Sequence, residues 1–465
     1  MEAVRSSFFL PNRHHHCYWD HCTRVIQLDL LTLDCPTVIV LPSMSVKELE
    51  ARFEKISVVD LDLQKEVLTV HDPLARLPLE ISSEIFLQCL PPLPEPGARH
   101  VPMLFLNICT AWTTIALSTP ALWAAIHIIF PRHIDFKEVL KTWLQRAHNS
   151  PLSVSIHGSF NNDIAAIISQ YSQQLKNLHI CHDGANVSVG DEDSVEEIHH
   201  LLGGICAESY PSLERAVFCG SSDDRWAQSC REILQLLRLS PNLTDCIFHH
   251  MYPVFGVPDT EQMVFPSLRR LVFGESKTGV GSDDEILKCL SLPNLQTLHL
   301  PLDEVSDADL ISFLQRSAPP LQSLKLGDVH DSLPLRFAQL EECVRLVPTL
   351  EELELLRPNE SLMDDLLESL AESPSHILPN LRSLIIHGFF SRVLWHTLLR
   401  VLSGRRSHLA CFKIIIEQDD WIILEQDVWL PHAGTDLRAA FRELVEDGMQ
   451  IYVGTEDRTR SILFV

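Results

Sequence analysis

Histidines and cysteines are the side chains with the most obvious capacity for chemistry. They cluster at residues 14–22, and adjacent histidines occur at 199–200 and 249–250. A tetrahedral zinc site needs four convergent donors, typically supplied with C-x-x-C or H-x-x-x-H spacing, and these clusters lack that spacing. We therefore predict no metal site in this chain.

Sequence motifs for catalysis or phosphate binding are also absent. The chain contains no G-x-x-x-x-G-K-[ST], G-x-G-x-x-G, G-x-S-x-G or H-E-x-x-H. These patterns mark phosphate-binding loops, nucleophilic serines and zinc proteases, and no nucleophile–base pattern replaces them. We therefore predict that the chain is not an enzyme and binds no cofactor. An unrecognised hydrolase stays open as the least favoured alternative.

The charge balance argues against nucleic acid and membrane surfaces as partners. The chain has 37 lysines and arginines against 62 aspartates and glutamates, a formal net charge of −25. A surface this negative repels phosphate backbones and anionic lipids. The 13 cysteines show no regular framework, and several, such as Cys89, Cys109 and Cys289, occupy apolar helical positions. We therefore expect a reducing compartment, the cytoplasm, the nucleus or both.

The first 130 residues are expected to form several short segments. Residues 1–42 are predicted to be a disordered tail without a secretion signal, and residues 43–71 an amphipathic helix or short coil opened by a Ser45/Glu48 capping box. Residues 101–130 contain no aspartate, glutamate, lysine or arginine, a pattern that also occurs in membrane spans. Because Pro120 interrupts this run, we predict two short buried helices instead.

Three motifs in the next segment resemble those of a known family. They read LPLEISSEIF from Leu77, ICTAW from Ile108 and ALSTPALW from Ala116. Together they resemble the F-box of a large fungal family, and they predict a helical F-box domain at residues 72–129. Thr110 and Thr113 stand where that family usually has basic residues.

This resemblance implies a partner and a set of contact residues. F-box domains dock on a Skp adaptor and, through it, on a cullin-type ubiquitin ligase. The positions in this chain that match the family's docking residues are Leu77, Pro78, Ile81, Ile85, Cys109, Trp112 and Trp123. The same residues are also expected to contribute to a small helical core, and both roles are compatible.

A repeated L-x-x-L-x-L unit begins after residue 150. We identify nine copies between Leu175 and Ile414, with first positions 25 to 38 residues apart and a proline shortly before most of them. Amphipathic segments at 231–239, 307–315, 335–346 and 362–370 lie between the copies. The pattern predicts an α/β fold: an irregular leucine-rich-repeat βα solenoid over 151–465. The asparagine that usually follows each strand in such repeats is missing, and residues 435–446 and 449–453 are expected to form a C-terminal cap.

The alternation of a strand predicts a binding surface. If the leucines point inward, the residues between them point to the opposite, concave face. The substrate-binding candidates on that face are Arg215, Val217, Ile247, Arg270, Val272, His299, Lys325, Glu352 and Glu354. We expect the apolar members to contribute most of the affinity, and the charged ones to form a basic stretch followed by an acidic one.

These patterns together favour one function. The chain is expected to be the substrate receptor of a Skp–cullin–F-box ubiquitin ligase, with the repeats binding a substrate protein. The alternative is a leucine-rich-repeat scaffold outside any ligase, in which the helical segment only caps the repeats.

Overall fold

A thirteen-stranded sheet runs through most of the chain, as seen in a computed structural model. The structure describes residues 73–130, 136–158, 162–181, 209–219, 227–249, 252–254, 262–274, 286–301, 307–327, 333, 335–372, 376–388, 395–417, 435–455 and 461–463. All of them belong to one compact unit, Val58–Val465. The tail and coil predicted at residues 1–42 and 43–71 lie outside the described residues.

Helices and strands alternate along this unit. The described α-helices are α1 (Leu79–Gln88), α2 (Thr110–Leu117), α3 (Phe136–Arg146), α4 (Asn162–Gln170), α5 (Cys230–Leu239), α6 (Ile286–Cys289), α7 (Asp307–Ser317), α8 (Phe337–Leu346), α9 (Glu360–Glu372), α10 (Trp395–Gly404) and α11 (Thr435–Glu446). The strands are β1 (Ala125–Ile129), β2 (Leu152–His157), β3 (Leu175–Cys181), β4 (Arg215–Cys219), β5 (Ala227–Ser229), β6 (Asp245–His249), β7 (Tyr252–Val254), β8 (Met263–Val264), β9 (Arg270–Phe273), β10 (Leu290–Ser291), β11 (Thr297–Leu300), β12 (Ser323–Leu326), β13 (Glu352–Leu356), β14 (Ser383–Gly388), β15 (Cys411–Ile416), β16 (Gln450–Thr455) and β17 (Ser461–Leu463). The α/β class predicted from the sequence is confirmed.

The strand order of the main sheet follows the chain. It runs β1-β2-β3-β4-β6-β9-β11-β12-β13-β14-β15-β16, with every neighbouring pair parallel, and ends with β17 antiparallel to β16. Strands β5 and β7 form one small parallel pair, and β8 and β10 form another. Each segment therefore adds one strand beside the strand of the preceding segment.

The nine L-x-x-L-x-L copies lie at nine successive strands of this sheet, from β3 to β15. All twenty-seven motif side chains are nearly inaccessible to solvent, from Leu175 to Ile414. Neighbouring strands align motif to motif, as Leu298 pairs with Leu324 and Leu324 with Leu353. Burial and register together confirm that these apolar positions face one side of the sheet, where they form a continuous core with the helices.

Most helices predicted between the strands are present. The four amphipathic segments become α5, α7, α8 and α9, with ends shifted by one or two residues, and the predicted last helix and strand become α11 and β16. From α6 to α11 each helix packs against the next one in the chain. This arrangement covers the apolar side of the sheet.

Side chains just before the strands link neighbouring repeats. The amides of Asn242 and Asn294 donate to the carbonyl oxygens of Pro211 and Pro266, at 2.7 and 2.8 Å. Asn380 bonds the carbonyl oxygen of Pro348 in the same way, at 2.9 Å. In six of the seven copies preceded by a proline, the residue directly after the proline is asparagine, serine or threonine. The repeats thus have a side-chain ladder at the entry to the strand, where the sequence analysis did not expect one.

Two arginines, Arg405 buried and Arg316 half-buried, link successive repeats. Arg405, at the end of α10, donates from Nη1 to the carbonyl oxygen of Leu378 at 2.7 Å and from Nη2 to that of Ile377. Arg316 of α7 bonds the carbonyl oxygen of Leu290 through Nε at 3.0 Å and Nη2 at 2.8 Å. Both guanidinium groups satisfy backbone acceptors in the preceding repeat.

The sheet begins earlier than the sequence predicts. Strand β1 lies inside the segment predicted to be an F-box, and it pairs with β2, which has no L-x-x-L-x-L copy either. The apolar side chains Ile126 and Ile128 alternate in β1 and are buried, so the strand joins the same core. The expected start near residue 151 is therefore about one repeat too late.

The uncharged segment 101–130 forms short elements, as expected, but not two continuous helices. It contains 3-10 turns at Met103–Asn107 and Pro120–Trp123 on either side of α2. Cys109 is extended, with φ −157° and ψ 171°, and separates the first turn from α2. Among the described helices, none combines the length and apolarity that crossing a bilayer requires.

Candidate binding surfaces

The first candidate surface is the solvent-facing side of α1. Leu77, Ile81 and Ile85 are four residues apart, so they lie along one side of the helix and its entry. They are 41%, 51% and 38% exposed. Ser82 and Phe86, on the other side of α1, are buried. We call these three exposed residues the α1 apolar stripe.

Aromatic contacts hold α1 against the rest of this region. The ring of Phe86 stacks on Phe105 with centroids 4.1 Å apart and lies 5.0 Å from the ring of Trp112. Phe105 and Trp112 complete the triangle at 5.6 Å. This cluster joins α1, the 3-10 turn at Met103–Asn107 and α2. The α1 apolar stripe is therefore displayed from a packed support.

Hydrogen bonds fix the entry and the middle of α1. The Ser82 hydroxyl donates to the carbonyl oxygen of Leu74 at 2.9 Å, which anchors the turn before the helix. The hydroxyls of Ser83 and Thr119 are 2.7 Å apart, and Thr119 also donates to the carbonyl oxygen of Ile115. Through Thr119, these bonds link α1 to the last turn of α2.

Trp123 does not belong to the exposed surface, contrary to expectation. It is fully buried, and its Nε1 donates to the carbonyl oxygen of Ala116 at 2.9 Å. Its ring lies 5.0 Å from Trp143 and 4.5 Å from the guanidinium of Arg146. Trp123 therefore joins the helical region to α3 and the sheet. The motif places a large aromatic residue there, but the sequence does not reveal which side of the fold it faces.

The other positions matched to docking residues fall into two groups. Pro78 is exposed beside the α1 apolar stripe, whereas Cys109 and Trp112 are half-buried. Leu104 and Ile108, which are not among the positions matched to docking residues, are exposed apolar residues in the same region. The uncharged segment 101–130 could have predicted their exposure, because it has more apolar side chains than three short elements can bury.

The second candidate surface is the sheet face opposite the buried motif positions. We call it the second face and describe it in three rows across the strands. The first row includes Arg215, Asp245, Arg270, Thr297, Ser323 and Glu352. The middle row includes His127, Ser155, His179, Val217, Ile247, Val272, His299, Lys325 and Glu354. The last row includes His157, Cys181 and Cys219. The register places every predicted substrate-binding candidate on this face.

The apolar centre of the middle row is less accessible than predicted. Ile247, Val272 and His299 are 3%, 6% and 9% exposed, and Val217 is half-buried. These residues occupy consecutive strands about 4.8 Å apart, so neighbouring side chains pack together and shield one another from solvent. Ile247 and Val272 therefore offer little accessible surface here, and their expected share of the affinity stays a prediction. Arg215, Arg270 and Glu352 of the first row are exposed as expected.

The charges of the middle row are paired rather than separated into a basic and an acidic stretch. Lys325 Nζ lies 3.0 Å from a carboxylate oxygen of Glu354, and His387 Nε2 lies 3.3 Å from the same oxygen. Burial alone raises the pKa of the Glu354 carboxyl. The hydrogen bond from His387 and the charge of Lys325 outweigh this and lower the pKa from 4.5 to about 2. Lys325 and Glu354 therefore neutralise each other's charge instead of forming parts of a basic stretch and an acidic stretch.

Within the described residues, no group of three or more histidine, cysteine or acidic side chains converges as metal ligands. The adjacent histidines at 199–200 lie outside the described residues, as does His250.

Comparison with known proteins finds no family that matches this sequence, and no characterised protein matches it either.

Proposed function

We propose that this chain is the substrate receptor of a Skp–cullin–F-box ubiquitin ligase, with an F-box docking a Skp adaptor and a leucine-rich-repeat solenoid binding the substrate. The observation that supports docking best is the exposure of the α1 apolar stripe. Leu77, Ile81 and Ile85 are three positions that the family resemblance matches to adaptor contacts. An exposed apolar stripe on a packed support is typical of a protein-binding surface.

Energetics favour a partner at this surface. Transfer of apolar side chains from water stabilises a complex by roughly 25 cal/mol for each Å² buried. A short helical region cannot bury all its apolar residues internally, because little core volume is available to it. Docking of an adaptor on α1 removes this surface from water.

Substrate recognition is proposed for the first row of the second face. Arg215, Arg270 and Glu352 are exposed there, and Asp245 lies between the two arginines. Charged residues at an interface contribute orientation and association rate more than affinity. The row therefore suits a substrate segment with charges of alternating sign.

The test is co-purification of the full chain with a recombinant Skp adaptor. We expect the parent protein to form a complex and Ile85→Asp to lose it, because a carboxylate placed in an apolar interface costs several kcal/mol. Val264→Asp is the matched control, since Val264 is exposed and apolar but belongs to β8. Trp112→Ala is a second variant, although it also removes contacts to Phe86 and Phe105. Adaptor binding by a folded Ile85→Asp protein would exclude the proposed docking surface.

The scaffold function is the second candidate, and one observation favours it. Trp123 and Trp143 join the helical region to the sheet within one continuous core, so the region also caps the first strand. If the chain is a scaffold, neither the parent nor the variants will bind the adaptor. The partners recovered with the full chain will then depend on the exposed charges of the first row, Arg215, Arg270 and Glu352.

A further inference from the structure

The first four strands of the sheet bring histidines, a serine and cysteines together on the second face. His127, Ser155 and His179 occupy neighbouring positions of the middle row. Cys181 and Cys219 are neighbours in the last row, on β3 and β4. Residues two apart in a strand point to the same face, so all five side chains share one surface.

A chain of hydrogen bonds connects four of these side chains. Cys219 Sγ lies 3.6 Å from His179 Nε2, His179 Nδ1 lies 3.2 Å from Ser155 Oγ, and Ser155 Oγ lies 2.9 Å from His127 Nδ1. With the thiol as the first donor, every link has one donor and one acceptor. Transfer of the thiol proton to His179 Nε2 leaves the other two bonds in place. The arrangement therefore accommodates both a thiol and a thiolate at Cys219.

His157 supports the orientation of both imidazoles. Its ring lies edge to face against His127 and His179, with centroids 4.7 and 5.1 Å away. His127, Ser155 and His157 are buried, whereas His179 and Cys219 are half-buried. A small solute can therefore reach the thiol end of the chain, while the far end is held inside the protein.

Cys181 is placed to react with Cys219. The two residues are directly paired on adjacent parallel strands, whose backbones lie about 4.8 Å apart. This separation falls within the roughly 4.4–6.8 Å range of Cα distances that a disulfide spans. The eight cysteines whose side chains the structure describes are all thiols. Oxidation would therefore create a new bond between β3 and β4.

A contrasting cysteine lies in the core. Cys246 is fully buried on the opposite face, and burial, with a smaller effect from Asp245, raises the pKa of its thiol strongly. A protonated thiol is a poor nucleophile. Cys246 is therefore an internal reference for an unreactive thiol.

We propose that Cys219 is a hydroperoxide-reactive thiol, with His179 as its base and Cys181 as its resolving partner. His179 takes the thiol proton, and the Cys219 sulfur attacks the peroxide, forming an S–O bond as the O–O bond breaks. The leaving alkoxide, or hydroxide when the oxidant is hydrogen peroxide, takes the proton from His179 and departs as an alcohol or as water. The Cys181 sulfur then attacks the sulfenic acid, forming the S–S bond and releasing hydroxide, which leaves with the Cys181 proton as water.

The experiment treats the full chain with hydrogen peroxide and follows each cysteine by alkylation and mass spectrometry. We expect Cys181 and Cys219 to lose alkylation together and to appear in a disulfide-linked peptide pair. Cys411 is half-buried on the same face and serves as the reference for an ordinary thiol. We expect Cys219 to react about 10-fold faster than Cys411, or more, as general-base assistance provides.

Variants separate the three roles. His179→Gln should slow oxidation of Cys219 by about 10-fold or more, because the base is lost. The matched control His387→Gln removes another histidine of the same face and should leave the rate unchanged. Cys181→Ser should stop the reaction at a sulfenic acid on Cys219, which a 1,3-diketone reagent traps. Continued protection of Cys246 from alkylation shows that each variant is folded.

Three results would overturn the proposal. The first is oxidation of Cys219 no faster than that of Cys411. The second is an equal effect of His179→Gln and His387→Gln on the rate. The third is oxidation of Cys219 in the parent protein while Cys181 can still be alkylated. This result would exclude Cys181 as the resolving cysteine.

Discussion

Apolar side chains are largely buried in the sheet of repeats, whereas several are exposed in the helical region before β1. Of the ten exposed large apolar residues that the structure describes, eight lie between Leu77 and Leu117, before β1. The other two are Ile129, at the end of β1, and Val264, in β8. In the sheet, each strand buries its motif residues against the strands and helices beside it. The difference teaches that the repeats complete their own core, whereas the helical region keeps a surface that a partner protein can cover.

The largest expected effect comes from placing a charge in the sheet core. Leu298 of β11 is fully buried in the middle of the motif layer. In Leu298→Asp a carboxylate has no partner there, so we expect a loss of about 3–5 kcal/mol of unfolding free energy. Urea denaturation followed by circular dichroism, with limited proteolysis, measures it. A Leu298→Asp protein as protease-resistant as the parent would contradict the continuous core.

A smaller loss is expected when a buried link between repeats is removed. Arg405 is almost inaccessible and bonds the carbonyl oxygens of Leu378 and Ile377, and its burial lowers the pKa of the guanidinium. Arg405→Met leaves these acceptors without their donor, and we expect about 2–4 kcal/mol of destabilisation. The neighbouring Arg406 is exposed and ion-paired with Glu443, so Arg406→Met is the matched control. Equal urea midpoints for the two variants would show that the buried bonds contribute nothing.

The pairing in the middle row predicts a dependence of stability on pH. The folded pKa of Glu354 is about 2, below the value of about 4.3 for an unfolded glutamate. The pairing therefore stabilises the fold fully above about pH 4.3, and this contribution is lost as the pH falls towards 2. We expect the difference in unfolding free energy between the parent and Glu354→Gln to shrink by about 1–3 kcal/mol over that range. Glu352→Gln, which removes an exposed carboxylate from the same strand, is the matched control.

The smallest effect on stability is expected from a charge on the α1 apolar stripe. Ile81 is half exposed, so the carboxylate of Ile81→Asp remains in water. We expect its unfolding free energy to stay within about 0.5 kcal/mol of the parent. The same urea titration used for Leu298→Asp checks this. A large loss for Ile81→Asp would mean that α1 belongs to the closed core, and the contrast between the two regions would disappear.

The repeats could be predicted from the sequence because their signals are local. Period-two alternation and the spacing of leucines determine which side of each strand is buried, as for Leu321, Leu324 and Leu326. Strand β1 was not predicted because its isoleucines do not form an L-x-x-L-x-L unit. The asparagine ladder was not predicted because each acceptor is far away in the sequence, as Pro266 is 28 residues before Asn294.

The candidate surfaces were only partly predictable, for a different reason. The α1 apolar stripe follows from helical spacing, but the burial of Trp123 depends on Trp143 and Arg146, which come from α3. The pairing of Lys325 with Glu354 likewise joins two repeats. The hydrogen-bonded side chains from His127 to Cys219 come from four strands, and no motif links them. Such contacts arise from register between distant segments, which a single sequence does not display.

The asparagine ladder has a consequence for how the protein is made. Asn242, Asn294 and Asn380 all donate backwards, to carbonyl groups that precede them in the chain by about one repeat. Domains fold as units during synthesis, with N-terminal parts emerging first. Each acceptor has therefore left the ribosome before its donor does. The nascent chain can add one repeat at a time to a stack already in place, starting from the helical region and β1.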